Sequence, residues 1–472
     1  MTDDYAGLRI LDVSQGFAGP YSGAILAHGG ASVIKVEPPA GGWARSIGGH
    51  TVFRHVPNKT RKDRWKMKAK MKTSAVVAGL LASLMASSAM AQVSDNVVRI
   101  GILNDMTGIY ADAGGKGSIL AAQLAAEDFG GKVAGAPIEI ISADHANKPD
   151  IAANLARQEY DAQGVDVIAD GGSSAAALAM QNVSRERKKI ILLSGPATAE
   201  ITGKACSPYS FHWMYDTYAL AAAPPAGVLK RGGDTWFFIT ADYAFGKSME
   251  SEATKRIVAD GGKIIGGVRA PLDTPDFSSF LLQAQGSGAK VLALATAGSD
   301  TSNAIKQAQE YNVIGPNTQV VTFLMFINDV DAMGLKNGQG LVSSTTYYHD
   351  LDDGSRAFAK RFWDKMGRPP SIVQAGVYSS VVHYLKAVAA TGTDDGDKVA
   401  AKMREMPVED AFTHGAKIRA DGRLLRDLYV TEVKKPEESK GPWDYWKIVA
   451  TIPGDKAWRP AEESECPLLK TN

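Results

Sequence analysis

The chain is poor in cysteine, in net charge and in long apolar runs, and each shortage removes a class of protein. Cys206 and Cys466 are the only cysteines among 472 residues, so no four-thiolate zinc site and no CxxC redox motif can be built. Lys and Arg total 52 against 51 Asp and Glu, which leaves no global positive charge to mark a nucleic-acid partner. No apolar stretch approaches the ~20 residues that a membrane-spanning helix needs. Gly114–Gly117 reads GGKG but lacks dinucleotide-fingerprint spacing, and no GxxxxGK[ST], HExxH or GxSxG occurs. The sequence therefore nominates no cofactor, no metal site and no catalytic residue.

What remains is an ordinary globular composition, with 45% hydrophobic and 22% charged residues. At about 150 residues per domain the length suggests roughly three units. The charge is unevenly spread: residues 1–91 hold 12 Lys/Arg and 5 Asp/Glu, so the remainder carries 40 basic and 46 acidic residues.

That basic head contains a processing signal. Lys66, Lys68, Lys70 and Lys72 lead into a short run of small and apolar residues from Ala75 to Met85, and Ala89-Met90-Ala91 follows. Basic, apolar and A-x-A parts in this order are those of a secretory signal peptide, here residues 71–91, with cleavage between Ala91 and Gln92 and export to the periplasm. Residues 50–70 read as a basic linker or spacer, and Met67 or Met71 is a plausible start. Within residues 1–49, Leu8–Val13 and Ser32–Val36 read as strands around a helix at Pro20–His28. GLRILDVS, FAGPYSG and ASVIKVEPPAGG resemble the N-terminal unit of class III CoA-transferases. That family's catalytic Asp lies downstream of this unit, so the resemblance implies an inactive truncated fragment.

From Gln92 onward strands and helices alternate. Strands are expected at Val97–Leu103, Ile138–Ala143, Val165–Ala169 and Ile190–Leu193, with helices at Lys116–Phe129, Asp150–Asp161 and Ser174–Glu186. A second set has strands at Thr235–Thr240, Lys263–Val268, Val291–Ala295 and Gln319–Phe323, with helices at Lys247–Asp260, Ser278–Gly286 and Thr301–Tyr311. Near-continuous Val/Ile/Leu/Ala strands between helices imply parallel sheets covered on both faces. The predicted fold class is α/β, with two Rossmann-like lobes facing across a cleft.

Five stretches sharpen this reading: IGILNDMTGIYADAGGKG, VIADGGSSAAALAMQ, ILLSGPATAEITG, FITADYAFGKSMESE and LDTPDFSSFLLQAQ. They resemble the branched-chain amino-acid type of ABC-transporter receptor over essentially all of residues 92–472. The resemblance implies the type I periplasmic-binding fold, a three-crossover hinge, a small carboxylate ligand and a membrane permease as partner. It implies no enzyme activity and no nucleic-acid partner, and a monomer is expected. The crossovers are expected near Trp213–Tyr218, Val342–Thr345 and Leu424–Val430. Lobe 1 would then comprise about 97–215 and 345–425, and lobe 2 about 216–344 and 426–465. CoA transfer by residues 5–49, or a ligand sensor of the same fold, are the alternatives.

Ser173 and Ser174 stand between a strand end and a helix start, where hydroxyls and free N–H groups make an anion site, or simply an N-cap. In the family these positions hold the ligand carboxylate; Ala197 and Thr198 in GPAT would complete the cradle. Tyr243 in ADYAFG would close over the ligand or pack as a core aromatic. Tyr110 and Asp112 lie on the first loop, Asp112 as ligand contact or solvated turn. Tyr378 heads an apolar helix, facing cleft or core. Thr274 stands where amino-acid receptors of this family commonly carry the Glu that pairs with the ligand ammonium. Either Asp273, Asp112 or Asp242 substitutes, or the ligand lacks an ammonium, and the second reading is preferred. Cys206 and Cys466 would form one disulfide after export, closing a loop of roughly 260 residues; two buried thiols are the alternative.

Overall fold

The computed structural model describes residues 9–12, 32–35 and 93–470, apart from 223 and 314–317. The expected helix at 20–28, the spacer 50–70 and the signal segment 71–91 lie outside the described residues. The chain divides into two compact units, Met1–Ala86 and Ser87–Asn472. In the first, Arg9–Asp12 pairs in parallel with Ser32–Lys35, within the strands expected at Leu8–Val13 and Ser32–Val36.

In the second unit two parallel sheets carry the architecture. The first sheet places Val98–Asn104 between Ala136–Asp144 and Val167–Asp170, and extends through Ile190–Leu193 to Ser210–His212. Its inner strands are buried at every position from Val167 to Asp170 and from Ile190 to Leu193. Alternation sends their side chains to opposite faces. Ile190 and Leu192 enter one core, whereas Ile191 and Leu193 enter another beneath the helices Pro149–Ala162 and Ser174–Arg187. The second sheet runs Lys263–Ala270, Thr235–Ala241, Val291–Ala295, Gln319–Thr322, all parallel. Trp236 and Phe238 face one core, Phe237 and Ile239 the other.

The short strand Ser210–His212 escaped the sequence reading because Ser-Phe-His carries too little apolar signal. The hinge also sits slightly off its expected places. Val342–Thr345 is itself a strand, antiparallel to Leu428–Val433, which pairs with Trp446–Ile452. Val433 and Trp446 share a core with the second sheet, so this antiparallel ribbon belongs to the second lobe. The connections are therefore Trp213–Asp216, the stretch starting at Thr346, and Arg426–Asp427, which links Leu424–Leu425 of the first lobe to Leu428–Val433. Thr346 Oγ1 donates to Met214 O at 3.1 Å, tying the second connection to the first. Cys206 and Cys466 form a disulfide with Cα atoms 5.7 Å apart, and so fasten the end of the chain to the first lobe.

Glu159 breaks the pattern. It lies on the sheet-facing side of the helix Pro149–Ala162, buried, with Oε2 lacking any partner. It packs over Gly101, where any Cβ would run into its carboxyl. Burial pushes its pKa up to about 8 from 4.5. The folded state prefers the protonated form, so stability is complete below the ordinary value and falls as pH rises through about 8. Glu159→Met is expected to raise the thermal midpoint at alkaline pH and to lose that advantage near pH 4.5. The full effect has an upper limit on the order of 5 kcal/mol. Parallel midpoint-versus-pH curves for parent and variant would refute it.

Candidate ligand-binding cleft

Between the lobes lies a small cavity lined by residues of both. Its floor comes from strand ends of the first lobe. Asp170 ends the strand Val167–Asp170 in the left-handed region (φ 82), followed by Gly171 and Gly172, also left-handed. Three such residues in a row turn the chain sharply, and Asp170 holds the strained conformation that a non-glycine rarely adopts. Gly172 must be glycine for a second reason: a Cβ there would meet the His145 ring at 2.6 Å. This turn delivers Ser173 and Ser174 to the start of the helix Ser174–Arg187.

Ser173 is 3% exposed and lines the cavity, yet its hydroxyl caps nothing and has no protein partner. Ser174 Oγ accepts the N–H groups of Ala197 (3.2 Å) and Thr198 (3.1 Å), which leaves its proton to donate. Thr198 lies one layer behind the wall; its Oγ1 accepts from the N–H of Glu200 at 3.4 Å. Ala197 lines the cavity directly. Free N–H groups and the positive end of the helix dipole face this point, so it favours an anion.

Asn104, Asp105 and Asp170 also line the cavity, and sequence reasoning missed all three. Their signal was polar residues at the carboxyl ends of apolar strands. Asp105 accepts the N–H groups of Gly108 (2.7 Å) and Tyr110 (3.0 Å) and the Asn147 amide, which shapes the loop that presents Tyr110. Asp170 accepts Ser118 Oγ at 2.6 Å, Asn104 Nδ2 at 2.8 Å and the N–H of Gly172 at 3.3 Å. Its burial raises its pKa against these bonds, which lower it.

The second lobe contributes Tyr243, Phe245, Ala297, Leu324 and Phe326, all aromatic or aliphatic. Tyr110 and Tyr243 meet hydroxyl to hydroxyl across the cleft. Burial pushes both phenols above their ordinary values, Tyr110 also through the nearby Tyr243, so both stay neutral hydrogen-bonding groups. Gly298 (φ 62) abuts the same loop: a Cβ there would stand 2.7 Å from Ile109 O. The lobes are closed on one another.

Besides Thr198, three anticipated residues stay out of the cavity. Asp112 is exposed and faces Arg368 Nη2 at 3.4 Å. Tyr378 is buried in the core, donating to Asp128 Oδ2 at 2.6 Å and stacked on Phe358 with centroids 4.3 Å apart. Val373, on the same helix Ile372–Thr391, lines the cavity instead; five residues on, Tyr378 points about 140° away. Thr274 turns its hydroxyl back to Pro271 O (2.6 Å) and its N–H to Asp300 Oδ1 (3.0 Å). Asp242 pairs with Lys247 at 3.0 Å, and Asp273 is exposed. None of the substitutes suggested for the absent Glu lines the cavity. Among the described residues no cluster of His, Cys, Asp and Glu could hold a metal, and no helix is long and apolar enough to cross a membrane.

Two facing α/β lobes, three connections and a closed cleft with an anion-attracting floor define a two-lobed binding protein. Comparison with known proteins says which. Residues 97–441 match the periplasmic binding protein family model. A crystal structure of a periplasmic binding protein from Burkholderia mallei is 49% identical, with TM-score 0.77, covering 79% of this chain and 99% of that one. A branched-chain amino acid ABC transporter periplasmic ligand-binding protein from Burkholderia xenovorans is 40% identical, with TM-score 0.71, covering 79% and 100%. The Leu/Ile/Val-binding protein homolog 6 of Brucella abortus is 26% identical over 384 residues, 78% of this chain and 94% of that protein. The chain belongs to the periplasmic binding protein family, as an ABC-transporter substrate-binding protein of the branched-chain amino-acid type. Residues 5–77 match CoA-transferase family III, a small part of the chain.

Removing the Tyr243 hydroxyl should loosen the closed form. Tyr243→Phe is expected to shift the unliganded protein toward open lobes by about 1 kcal/mol, read as a larger radius of gyration in small-angle scattering. Scattering identical to the parent would show that the tyrosine pair does not hold the lobes together.

Proposed function

We propose that this protein is the periplasmic receptor of an ABC importer for a small carboxylate with an aromatic or branched apolar body and no ammonium group. Exported and cleaved before Gln92, it would close its lobes over the ligand and present it to the membrane permease. The observation that carries the ligand class is Ser173: a buried hydroxyl without a partner, at a helix N-terminus, facing an apolar wall. An unmet buried donor costs about 1–3 kcal/mol, and a ligand carboxylate removes that cost. Ser174 supplies a second donor. The wall of Tyr243, Phe245, Leu324 and Phe326 suits a ring or a branched chain.

Absence of an ammonium is supported by the carboxylates at hand. Asp105 and Asp170 each already accept three protein donors, and the Thr274 position offers no acid. A buried ammonium would find no uncommitted carboxylate, and the partnerless Asn104 Oδ1 on the cavity wall offers it only a neutral acceptor. The CoA-transferase match concerns a stretch of which one strand pair is described, and no catalytic role is proposed for it.

Calorimetric titration of the purified protein against benzoate, phenylacetate, isovalerate, their amides and leucine tests this reading. An acid is expected to bind at least about 100-fold more tightly than its amide or than leucine. Ser173→Ala should weaken that acid about tenfold or more, as expected for a hydrogen bond to a charged group. Tight binding of leucine with no response to simple acids would keep the receptor and overturn its ligand class, assigning Asp105 or Asp170 to the ammonium.

A further inference from the structure

The third connection between the lobes carries a cation that the cleft does not use. Arg419, Arg423 and Arg426 follow one another along this stretch. Arg419 holds Asp421, with Nη2 2.7 Å from Oδ2, and Arg423 faces Asp216 at 3.8 Å. Arg426 is only 8% exposed, yet among the described residues no carboxylate comes within ion-pair distance of it. Its Nη1 meets Met214 Sδ at 3.3 Å, and its guanidinium lies 5.8 Å from the Phe412 ring centre. Asp410 and Asp427 act on it only through space. Thioether sulfur is a weak acceptor, so this contact offsets little of the cost of desolvating the charge.

Arg426 lines a groove of about 510 Å³, which shares no residue with the cleft. Thr413 lines it too, 4% exposed, with a hydroxyl that has no partner. Lys417 and His414 add positive or donor groups. Asp352, Asp427 and Asp455 also border the groove. Asp352 is engaged by the N–H of Ser355 at 2.6 Å and Asp427 by that of Gly454 at 2.8 Å. A guanidinium met only by sulfur and a hydroxyl without a partner thus border one groove, and the acids around them would repel a polyanion.

We propose that this hinge-side groove is a second binding site, taking one small oxyanion, a carboxylate or inorganic phosphate, on the Arg426 guanidinium and the Thr413 hydroxyl. The planar guanidinium offers two parallel N–H donors to such a group, and the hydroxyl a third. The site is independent of the ligand class assigned to the cleft.

Titration of the full-length protein with acetate, with phosphate and with chloride at constant ionic strength tests it, followed by calorimetry and thermal midpoint. Acetate or phosphate should bind saturably where chloride does not, and the better of the two names the ligand. Arg426→Met and the isosteric Thr413→Val should each weaken that binding at least tenfold, whereas Ser173→Ala in the cleft should leave it unchanged. Thr413→Val removes an unpaired hydroxyl and keeps the test decisive should Arg426→Met not fold. Binding that matches chloride, that survives in Thr413→Val, or that disappears in Ser173→Ala would overturn the proposal.

Discussion

The guanidinium of Arg423 is fully enclosed where the first and third connections between the lobes meet. It donates to Tyr215 O at 3.2 Å and to Leu424 O at 3.1 Å, faces the Asp216 carboxylate at 3.8 Å and lies 4.0 Å from the Trp458 ring centre. Burial lowers its pKa to about 10, so it remains charged at neutral pH. The neighbouring His212 is held neutral by burial and by Arg423 itself. One cation thus ties two chain crossings and the C-terminal tail to one point. The second crossing joins it through Thr346 and Met214. With the back fastened this way, relative motion of the lobes is confined to bending about this point, and the front alone decides between open and closed.

The front is held by few groups. The Tyr110–Tyr243 pair and the close approach of Gly298 to Ile109 bring the lobes together there. A hydroxyl pair is a modest contact, weak enough for a ligand to compete with. A ligand shifts the equilibrium only by the contacts it makes in the closed form and not in the open one. Contacts to Tyr243, Phe245 and Phe326 qualify, since the second lobe brings them over a ligand already resting on the first.

Much of this could be read in the sequence, and the failures have physical causes. Period and composition locate the inner strands of both sheets, because strands buried on both faces are apolar throughout. They miss Ser210–His212 and turn Val342–Thr345 into a connection, because short polar strands owe their pairing to neighbours far along the chain. At the site, the dipeptide Ser173-Ser174 was legible from its place between strand and helix. Tyr378 was misplaced because a helix apolar all round gives no phase: sixteen of the twenty residues of Ile372–Thr391 are buried. Asp105 and Asp170 were not legible because a lone carboxylate at a strand end does not show which loop amides it will accept. These carboxylates hold the loops that present Tyr110 and Ser173.

The division of labour between the lobes follows from these placements. Apart from the two tyrosines, every polar side chain lining the cavity comes from the first lobe, and everything the second lobe adds is apolar or aromatic. The first lobe can therefore bind an anion weakly by itself, in an open and solvated cleft where hydrogen bonds exchange with water at little net gain. The second lobe offers a polar ligand group only the Tyr243 hydroxyl among its lining side chains. Closure excludes water from the floor, which strengthens the Ser173 and helix contacts and at the same step buries the apolar body of the ligand. An inorganic anion would use only the floor and a hydrocarbon only the wall. A molecule of the proposed class, with both a carboxylate and an apolar group, would use both walls of the cavity at once.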